Sequence, residues 1–390
     1  MKNPIFNIHD LILLLTLAVC ILLVLFQLIL SRQKTIASHL LCSFFVCVGA
    51  NALCNLLLWS EYIQLQTPTF KFILAYGLAI ADVGKGIFLY FYVVAITLTN
   101  FRASRKCMLH LLPFIAVIVL LLSARINSET LRFASPNLTE FRETTTRMLW
   151  YLLKVLPVFY AIAAFLVAKR YKLRLQNFYS NLHLQGPEGL LLLTGGFAVS
   201  WSWSLLVHIF GELFGPDFAD DLGIADNYIT FILVNALFLY SLRYAHELIE
   251  TKNPVTEKEP PLLVPPNQVI IDKIKYAMDV DQLYLKHNLN IEAFAKHLGI
   301  NYREVSNIIN THFGTNFFEF VNAYRVDKAK EMLLEPAFAE KTILFILLEC
   351  GFNSKSAFHR FFKRYAGVSA AEFRKHHTTS HPKEESHKDV

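Results

Sequence analysis

Two hydrophobic patterns divide this chain. Long apolar stretches with few charges fill residues 1–245, whereas apolar residues recur at helical spacing among polar ones over 268–377. A helix needs about 20 apolar residues to cross the hydrocarbon core of a membrane. Seven stretches are candidates for such helices, although the fourth and the seventh are short: 10–30, 37–59, 72–99, 107–123, 148–168, 189–210 and 227–242.

Several polar residues lie inside these predicted spans, where an isolated charge costs about 2.5–3.5 kcal/mol on insertion scales. They are Asn51, Asn55, Asp82, Lys85, Lys154, His208 and Asn235. One interpretation is an internal ion pair between Asp82 and Lys85, three residues apart on one helical face, with asparagines that link helices. The other is a ligand pocket that opens outward and is lined by these residues. Lys154 by itself favours a side chain that extends to the outer surface.

The segments between the spans predict the orientation, because cytoplasmic loops are enriched in Lys and Arg. With the N-terminus outside, the inner segments carry ten Lys and Arg residues and the outer segments six. An odd number of spans also places the C-terminal part inside. The first span is too long for a signal peptide and lacks its basic leader and cleavage site, so we expect it to be retained.

Five prolines follow the last span and preclude a continuous helix: Pro254, Pro260, Pro261, Pro265 and Pro266. We expect residues 246–267 to form a semi-extended linker. The tail, 378–390, has the polar composition of a disordered segment. The predicted fold is therefore all-α: a seven-helix transmembrane bundle at 1–245, the linker, a helical domain at 268–377 and the tail.

A helix-turn-helix pattern lies in "NIEAFAKHLGINYREVSNIINTHFG". Its first helix is marked by Ile291, Phe294, Ala295 and Leu298. Gly299 permits a turn, and Asn301 suits the N-cap of the next helix. The residues that face back onto the first helix are Val305, Ile308 and Ile309. The outer side is left to Arg303, Ser306, Asn307 and Asn310, where a second helix of this kind enters the major groove of DNA.

The same pattern recurs about fifty residues later. A buried stripe consists of Ile343, Ile346 and Leu347. "CGFNS" forms the turn, and Ser354 can cap the next helix. The predicted inner face of that helix is Phe358, Phe361, Phe362 and Tyr365. Its outer face is Lys355, Ser356, His359, Arg360 and Lys363, and such basic side chains pair with guanine edges.

The segment "NAYRVDKAKEMLLE" between the two units predicts a helix over residues 322–335. At 1.5 Å per residue it would be roughly 20 Å long. A connecting helix of this length could hold two recognition helices one turn of DNA apart, roughly 34 Å.

These residues resemble the AraC/XylS family of bacterial transcription regulators over 268–376. "GFNSKSAFHRFFKRYAGVSAAEFRK" follows the C-terminal signature of the family, and "YRVDKAKEMLL" matches the helix that joins its two units. The resemblance implies a sequence-specific regulator of promoter DNA, usually an activator. By position, the base-facing places of the family correspond to Arg303, Ser306 and Asn307 and to Lys355, Ser356, His359 and Arg360.

The chain departs from the family pattern at two positions. Ala370 replaces the usual proline, and Leu347 replaces a small alanine where two helices meet. We expect Leu347 to change the packing of those helices, since it adds volume to their contact. Phe345 is also unusually apolar for a position that should face outward, which indicates contact with the bundle, a partner subunit or polymerase.

Composition adds little to this picture. The net charge is +6, and residues 268–377 carry 15 Lys and Arg against 12 Asp and Glu, so charge alone does not indicate nucleic acid. Five of the six cysteines lie in apolar runs, without a CxxC pair or zinc-ligand spacing, and are interpreted as packing residues. We expect no metal and no cofactor.

The whole chain looks like a membrane-anchored subgroup of the family with an N-terminal multi-span sensor. The leading hypothesis is a regulator in the bacterial cytoplasmic membrane that couples an external or membrane signal to promoter binding. Its expected partners are promoter DNA, membrane lipid, an unknown small-molecule signal, RNA polymerase and a second copy of the chain. The alternative is a transporter or channel with a regulatory helix-turn-helix module, although the spans show no internal repeat. An enzyme is not expected, because "HELIE" at 246–250 lacks the second histidine of a zinc site and no phosphate-binding glycine loop occurs.

Overall fold

A computed structural model describes residues 8–30, 36–59, 67–98, 101, 105–132, 138–180, 186–250 and 268–378. Within these residues the regular structure is helical, and a single antiparallel bridge pairs Tyr179 with Asn290. The predicted all-α fold class is confirmed. The chain divides into two compact units, which are Met1–Lys169 with Glu188–Val255 and Arg170–Pro187 with Thr256–Val390.

Eight helices are described in the N-terminal part of the chain. They are α1 (Ile8–Leu30), α2 (Ile36–Trp59), α3 (Pro68–Thr97), α4 (Leu112–Ser123), α5 (Ser128–Leu131), α6 (Glu140–Phe178), α7 (Pro187–Phe214) and α8 (Pro216–Glu250). A 3-10 turn, Arg105–Leu111, precedes α4. Among the described helices, α1, α2, α3, α6, α7 and α8 are long and apolar enough to cross a membrane. The fourth predicted span corresponds to a shorter apolar helix, Cys107–Ser123.

The first compact unit has a buried apolar core and also exposes many large apolar side chains on its outer surface. Phe44, Phe45 and Phe197 lie in its largest apolar cluster, to which α2, α3 and α7 contribute. Many large apolar side chains point outward instead, including Leu22, Ile29, Leu192 and Val199. Water-soluble proteins rarely expose apolar surface of this extent.

Helix α6 extends well beyond the predicted span 148–168. It has 39 residues, so it is roughly 58 Å long at 1.5 Å per residue, about twice what a bilayer core requires. Its last turns, from Arg170, belong to the second compact unit. This differs from the sequence-based boundary, which assigned residues 170–187 to the transmembrane domain.

Seven helices are described in the C-terminal part of the chain. They are α9 (Gln268–Asp279), α10 (Ile291–Leu298), α11 (Tyr302–Thr311), α12 (Phe317–Leu334), α13 (Ile343–Glu349), α14 (Lys355–Ala366) and α15 (Ala370–Thr378). Two apolar cores form, one around α10 and α11 and the other around α13 and α14. Helix α12 contributes Phe317 and Phe320 to the first core and Phe318 and Val326 to the second. It therefore joins the two helix pairs through opposite faces.

The structure corrects the start of α12 and part of the linker. Helix α12 begins at Phe317, five residues before the predicted start, because Asn316 caps it by accepting from the N–H of Glu319 at 2.9 Å. Helix α8 continues to Glu250, so residues 246–250 of the predicted linker are helical. Residues 251–267 of that linker and 379–390 of the predicted tail lie outside the described residues.

Candidate nucleic-acid interface

The first helix-turn-helix unit is formed by α10 and α11. Helix α10 ends at Gly299, whose φ of 67° lies in the left-handed region that a residue with a Cβ rarely adopts. Asn301 then caps α11, and its side chain accepts from the N–H of Arg303 at 2.9 Å. The predicted turn and N-cap are thus both confirmed. The two helices pack through Phe294, Val305 and other buried apolar residues.

The outer face of α11 carries the four predicted residues Arg303, Ser306, Asn307 and Asn310. They share this face because a helix repeats every 3.6 residues. Asn310 is exposed and the other three are partly exposed. The amide of Asn310 donates to the Ser306 hydroxyl at 3.4 Å, and the Arg303 Nε donates to the Tyr302 hydroxyl at the same distance. Both of these hydrogen bonds are long and therefore weak.

The second unit repeats this construction with α13 and α14. Thr342 caps α13, and Ser354 caps α14 by accepting from the N–H of Ala357 at 3.3 Å. The turn between them passes through Gly351, at a φ of 85°. Phe358, Phe361 and Phe362 of α14 are buried, as the pattern predicts. Tyr365 is a correction, because it is 42% exposed; its ring stacks on Phe361 and its hydroxyl donates to Glu319 at 3.4 Å.

The outer face of α14 is more basic than that of α11. Exposed side chains on it are Lys355, Ser356, Arg360 and Lys363. His359 is partly exposed and lies against Phe358, with 5.7 Å between the ring centroids. The face presents three cations, so it can contact both phosphates and guanine edges.

The two residues that depart from the family pattern lie in the apolar core around α13 and α14. Leu347 and Ala370 are both buried there. Phe345 packs against that same core, and its ring centroid lies 6.4 Å from that of Phe338. The Lys341 ammonium lies 5.2 Å from the Phe345 ring. Phe345 is thus partly covered by its own domain, and its apolar character needs no external partner.

A buried arginine on α12 lies where the two helix-turn-helix units of the C-terminal domain meet. Arg325 is 0% exposed, and its Nε donates to the carbonyl oxygen of Tyr284 at 2.7 Å. Its Nη2 donates to the carbonyl oxygen of Lys286 at 2.8 Å, and its Nη1 donates to Asn322 at 3.3 Å. Burial lowers the pKa of the Arg325 guanidinium to about 9, which still leaves it charged at neutral pH.

Ser180, which the sequence did not predict as a part of this domain, supplies two further acceptors for Arg325. This residue follows α6 and is fully buried. Its carbonyl oxygen accepts from Arg325 at 3.3 Å and from Asn322 at 2.9 Å, and its hydroxyl oxygen lies 3.2 Å from the Arg325 Nη2. The one available signal was the arginine itself, in an otherwise apolar stripe of "NAYRVDKA".

Four of the predicted intramembrane residues lie together. Asp82 and Lys85 form an ion pair within α3. Asn51 of α2 donates to the Asp82 carboxylate at 3.0 Å, and Asn55 donates to Asn51 at 3.0 Å. The Lys85 ammonium also lies 5.5 Å from the ring of Trp201. This charged group is therefore held by helices α2, α3 and α7.

The other three predicted ligand residues have separate partners. Lys154 donates to the Ser204 hydroxyl of α7 at 2.9 Å, so its ammonium is directed into the bundle rather than away from it. The ring of His208 lies edge-to-face against that of Tyr151, with 5.1 Å between the ring centroids, and its Nε2 is buried without a hydrogen-bond partner. Asn235 donates to the Phe231 carbonyl oxygen of its own helix at 2.8 Å.

A cavity of about 350 Å³ lies elsewhere in the first unit. The residues that line it are Phe72, Ser123, Ala124, Arg125, Asn127, Phe141 and Arg142. The predicted ligand residues are not among them. The intramembrane polar residues are instead packed against one another and against neighbouring helices.

Two helix-turn-helix units on one connecting helix define the class of the C-terminal domain. Residues 294–376 match the family described as "Helix-turn-helix domain". The C-terminal part of the chain is thus an AraC-type helix-turn-helix domain, as its sequence resemblance indicates.

Curated relatives are similar to a part of the chain. Uncharacterized HTH-type transcriptional regulators of Staphylococcus aureus strains COL and MSSA476 are each 27% identical to it over 110 residues. The aligned region is 28% of this chain and 14% of each relative, so the chain spans only a small part of their length. No solved structure gives a significant match.

Proposed function

We propose that this chain is a membrane-anchored transcription regulator that couples a signal in or outside the bacterial cytoplasmic membrane to binding of promoter DNA. The observation that carries the proposal is the presence, in one chain, of two helix-turn-helix units and six described helices of membrane-spanning length. No diffusing intermediate is then needed between the signal and the gene.

The proposed DNA contacts follow from the two outer faces. The polar face of α11, with Arg303, Ser306, Asn307 and Asn310, enters one major groove. The basic face of α14, with Lys355, Ser356, His359, Arg360 and Lys363, enters the next. The match of residues 294–376 to the helix-turn-helix family and the similarity to HTH-type regulators of Staphylococcus aureus support the assignment. By the resemblance to AraC/XylS regulators we propose activation, with RNA polymerase and a second copy of the chain as further partners.

The proposed membrane location rests on the outward-facing aliphatic surface of the long helices. Side chains such as Leu192 and Val199 are stable in that position when lipid surrounds them. The excess of Lys and Arg in alternate loops supports an N-terminus outside and a DNA-binding domain in the cytoplasm.

We propose the polar group around Asp82 and Lys85 as the part of the membrane domain that responds to the signal. Buried ionisable residues in a bilayer are costly and therefore generally functional. A small molecule that competes for either charge would change the contacts among α2, α3 and α7. Lys154, His208 and Asn235 are proposed to line the same signal-responsive region.

The test uses the full chain in lipid nanodiscs. Genomic fragments that the protein occupies in cells are recovered, and the affinity for one such duplex is compared with that for a random duplex of equal length. We expect a preference of about a thousandfold or more, as specific regulators show. Equal affinity for both duplexes would refute sequence-specific regulation and favour the transporter or channel alternative.

The location is tested separately by the accessibility of the two ends of the chain. A tag at the N-terminus and another after residue 390 are each exposed to protease in intact spheroplasts. The proposal expects cleavage of the first tag alone. Cleavage of the C-terminal tag would contradict the proposed topology.

A further inference from the structure

We propose that the segment Phe178–Ser180 is an intramolecular docking element: it holds the two helix-turn-helix units in the arrangement that binds DNA, and its release lowers the affinity for promoter DNA. The inference rests on the proposed function above, and it assigns a regulatory role to a part of the chain outside the helix-turn-helix family match.

The backbone of this segment pairs with the loop before α10. The N–H of Ser180 donates to the carbonyl oxygen of Leu289 at 3.0 Å, and its hydroxyl donates to the same oxygen at 2.6 Å. The neighbouring Tyr179 pairs with Asn290, which caps α10. The segment therefore forms a short stretch of backbone pairing at the start of the first helix-turn-helix unit.

The two oxygens of Ser180 complete the hydrogen bonding of Arg325. A guanidinium has five N–H groups and no acceptor, and a buried one needs a partner for each. The other acceptors of Arg325 include the carbonyl oxygens of Tyr284 and Lys286 and the side chain of Asn322. Release of the segment thus leaves a buried charge incompletely bonded, and water must enter to solvate it.

Arg325 also contacts the second helix-turn-helix unit, so the loss of its hydrogen bonds to Ser180 would affect both helix-turn-helix units. Its guanidinium lies 5.7 Å from the ring of Phe352, in the turn before α14. At Gly351 in the same turn, the position of an ideal Cβ is 3.0 Å from the Arg325 Nε and 2.7 Å from the Tyr284 carbonyl oxygen. The Arg325 side chain therefore contacts the loop before the first helix-turn-helix unit, the turn of the second helix-turn-helix unit and the docked segment.

Phe178 extends the contact to the first recognition helix. Its ring lies 5.9 Å from that of Tyr302, the first residue of α11, and it packs against the apolar core around α10 and α11. The outer faces of α11 and α14 remain accessible while the segment is docked. Docking is thus compatible with DNA contact, which is why we assign the docked state to the DNA-binding form.

The position of the segment explains how a signal would act on it. Phe178 is the last residue of α6, and the same helix continues without interruption from Glu140 through its apolar span. A rotation or shift of α6 would move Phe178 directly. The proline-containing linker after α8 then need not transmit the signal.

Hydrogen exchange of the full chain in nanodiscs tests the docking itself. The test variant is Phe178→Ala combined with Ser180→Ala, which keeps the backbone intact. The matched control is Leu173→Ala, since Leu173 lies on the same stretch of α6 and is 53% exposed. We expect amides of peptides over 283–292 and 322–328 to exchange about tenfold faster in the double variant, as the loss of a buried hydrogen bond implies. If the amides of α14 still exchange much more slowly than those of an unfolded chain, the domain is still folded.

DNA affinity of the same preparations tests the regulatory role. On a duplex recovered from cells, we expect the double variant to bind about tenfold more weakly than the Leu173→Ala control, a loss in the range set by a typical allosteric coupling. Equal exchange or equal affinity in the two variants would overturn the inference, and tighter binding by the double variant would overturn its direction. If the unaltered chain prefers no duplex, the proposed function itself fails; the inference alone fails when that preference exists and the double variant keeps it.

Discussion

The guanidinium of Arg325 donates to both oxygens of Ser180, at 3.3 Å to the carbonyl and 3.2 Å to the hydroxyl, although 145 residues separate the two. Arg325 lies on the helix that joins the helix-turn-helix units, and Ser180 follows the long helix α6. The C-terminal domain therefore includes a piece of chain that precedes α7. A fragment that starts at residue 268 would lack it, which is why each experiment uses the full chain.

Replacing Arg325 tests the importance of the buried guanidinium. We expect Arg325→Ala to destabilise the C-terminal domain, by about 1–3 kcal/mol for each buried carbonyl oxygen that it leaves without a donor. Pulse proteolysis of the full chain in nanodiscs measures this loss. Lys328→Ala on the same helix is the control, with an expected change within about 0.5 kcal/mol, because the partly exposed Lys328 pairs with the exposed carboxylate of Glu331. Similar stability of the two variants would show that Arg325 is dispensable.

Two glycines with similar backbone conformations should tolerate alanine differently. Both Gly299 and Gly351 have positive φ, so each alanine pays about 1–2 kcal/mol of backbone strain. A Cβ at Gly299 would meet open space, whereas one at Gly351 would lie 2.7 Å and 2.8 Å from the carbonyl oxygens of Tyr284 and Leu285. Thermal unfolding should therefore show a distinctly larger loss for Gly351→Ala. A loss equal to that of Gly299→Ala would mean that the turn before α14 can move away from the first unit.

The basic face of α14 predicts a specific effect on DNA affinity. We expect Arg360→Ala to weaken binding to a recovered duplex by about 1–3 kcal/mol if its guanidinium contacts base edges. Mobility-shift titration of the nanodisc protein measures the change. Lys296→Ala on α10 removes the same charge from an exposed position off the reading faces. An equal loss on random DNA would assign Arg360 to phosphate contact instead.

The intramembrane ion pair predicts that a double substitution is milder than a single one. Asp82→Asn leaves the Lys85 ammonium without its carboxylate, at a cost of about 2.5–3.5 kcal/mol in the bilayer. Adding Lys85→Met removes the unpaired charge, so the thermal stability of the detergent-extracted protein should return toward that of the unaltered chain.

The same pair of variants separates the two interpretations of the polar group. If it responds to the signal, the double variant inserts normally but no longer changes transcription on induction. A fully retained response would leave Asp82 and Lys85 with a structural role alone.

Local signals predicted most of the helix-turn-helix domain. The glycine and asparagine at positions 299 and 301 act within one turn of the helices that they separate, so their effect is visible in the sequence. The start of α12 was predicted too late, because its first turn is made of the consecutive aromatics Phe317 and Phe318, which show no helical period. Tyr365 was assigned to the inner face by spacing, but it lies at the edge of α14, where the core ends.

The two kinds of helix, the turns and the outer faces of α11 and α14 can all be predicted from short stretches of the chain. These follow from apolar period, caps and glycine conformation, all of which act over a few neighbouring residues. Which polar groups meet depends instead on how distant segments pack: Asn51 with Asp82, Lys154 with Ser204, and Ser180 with Arg325. The physical reason is that a buried polar group must find a hydrogen-bond partner wherever the fold brings one within reach, and that proximity is set by packing rather than by sequence spacing.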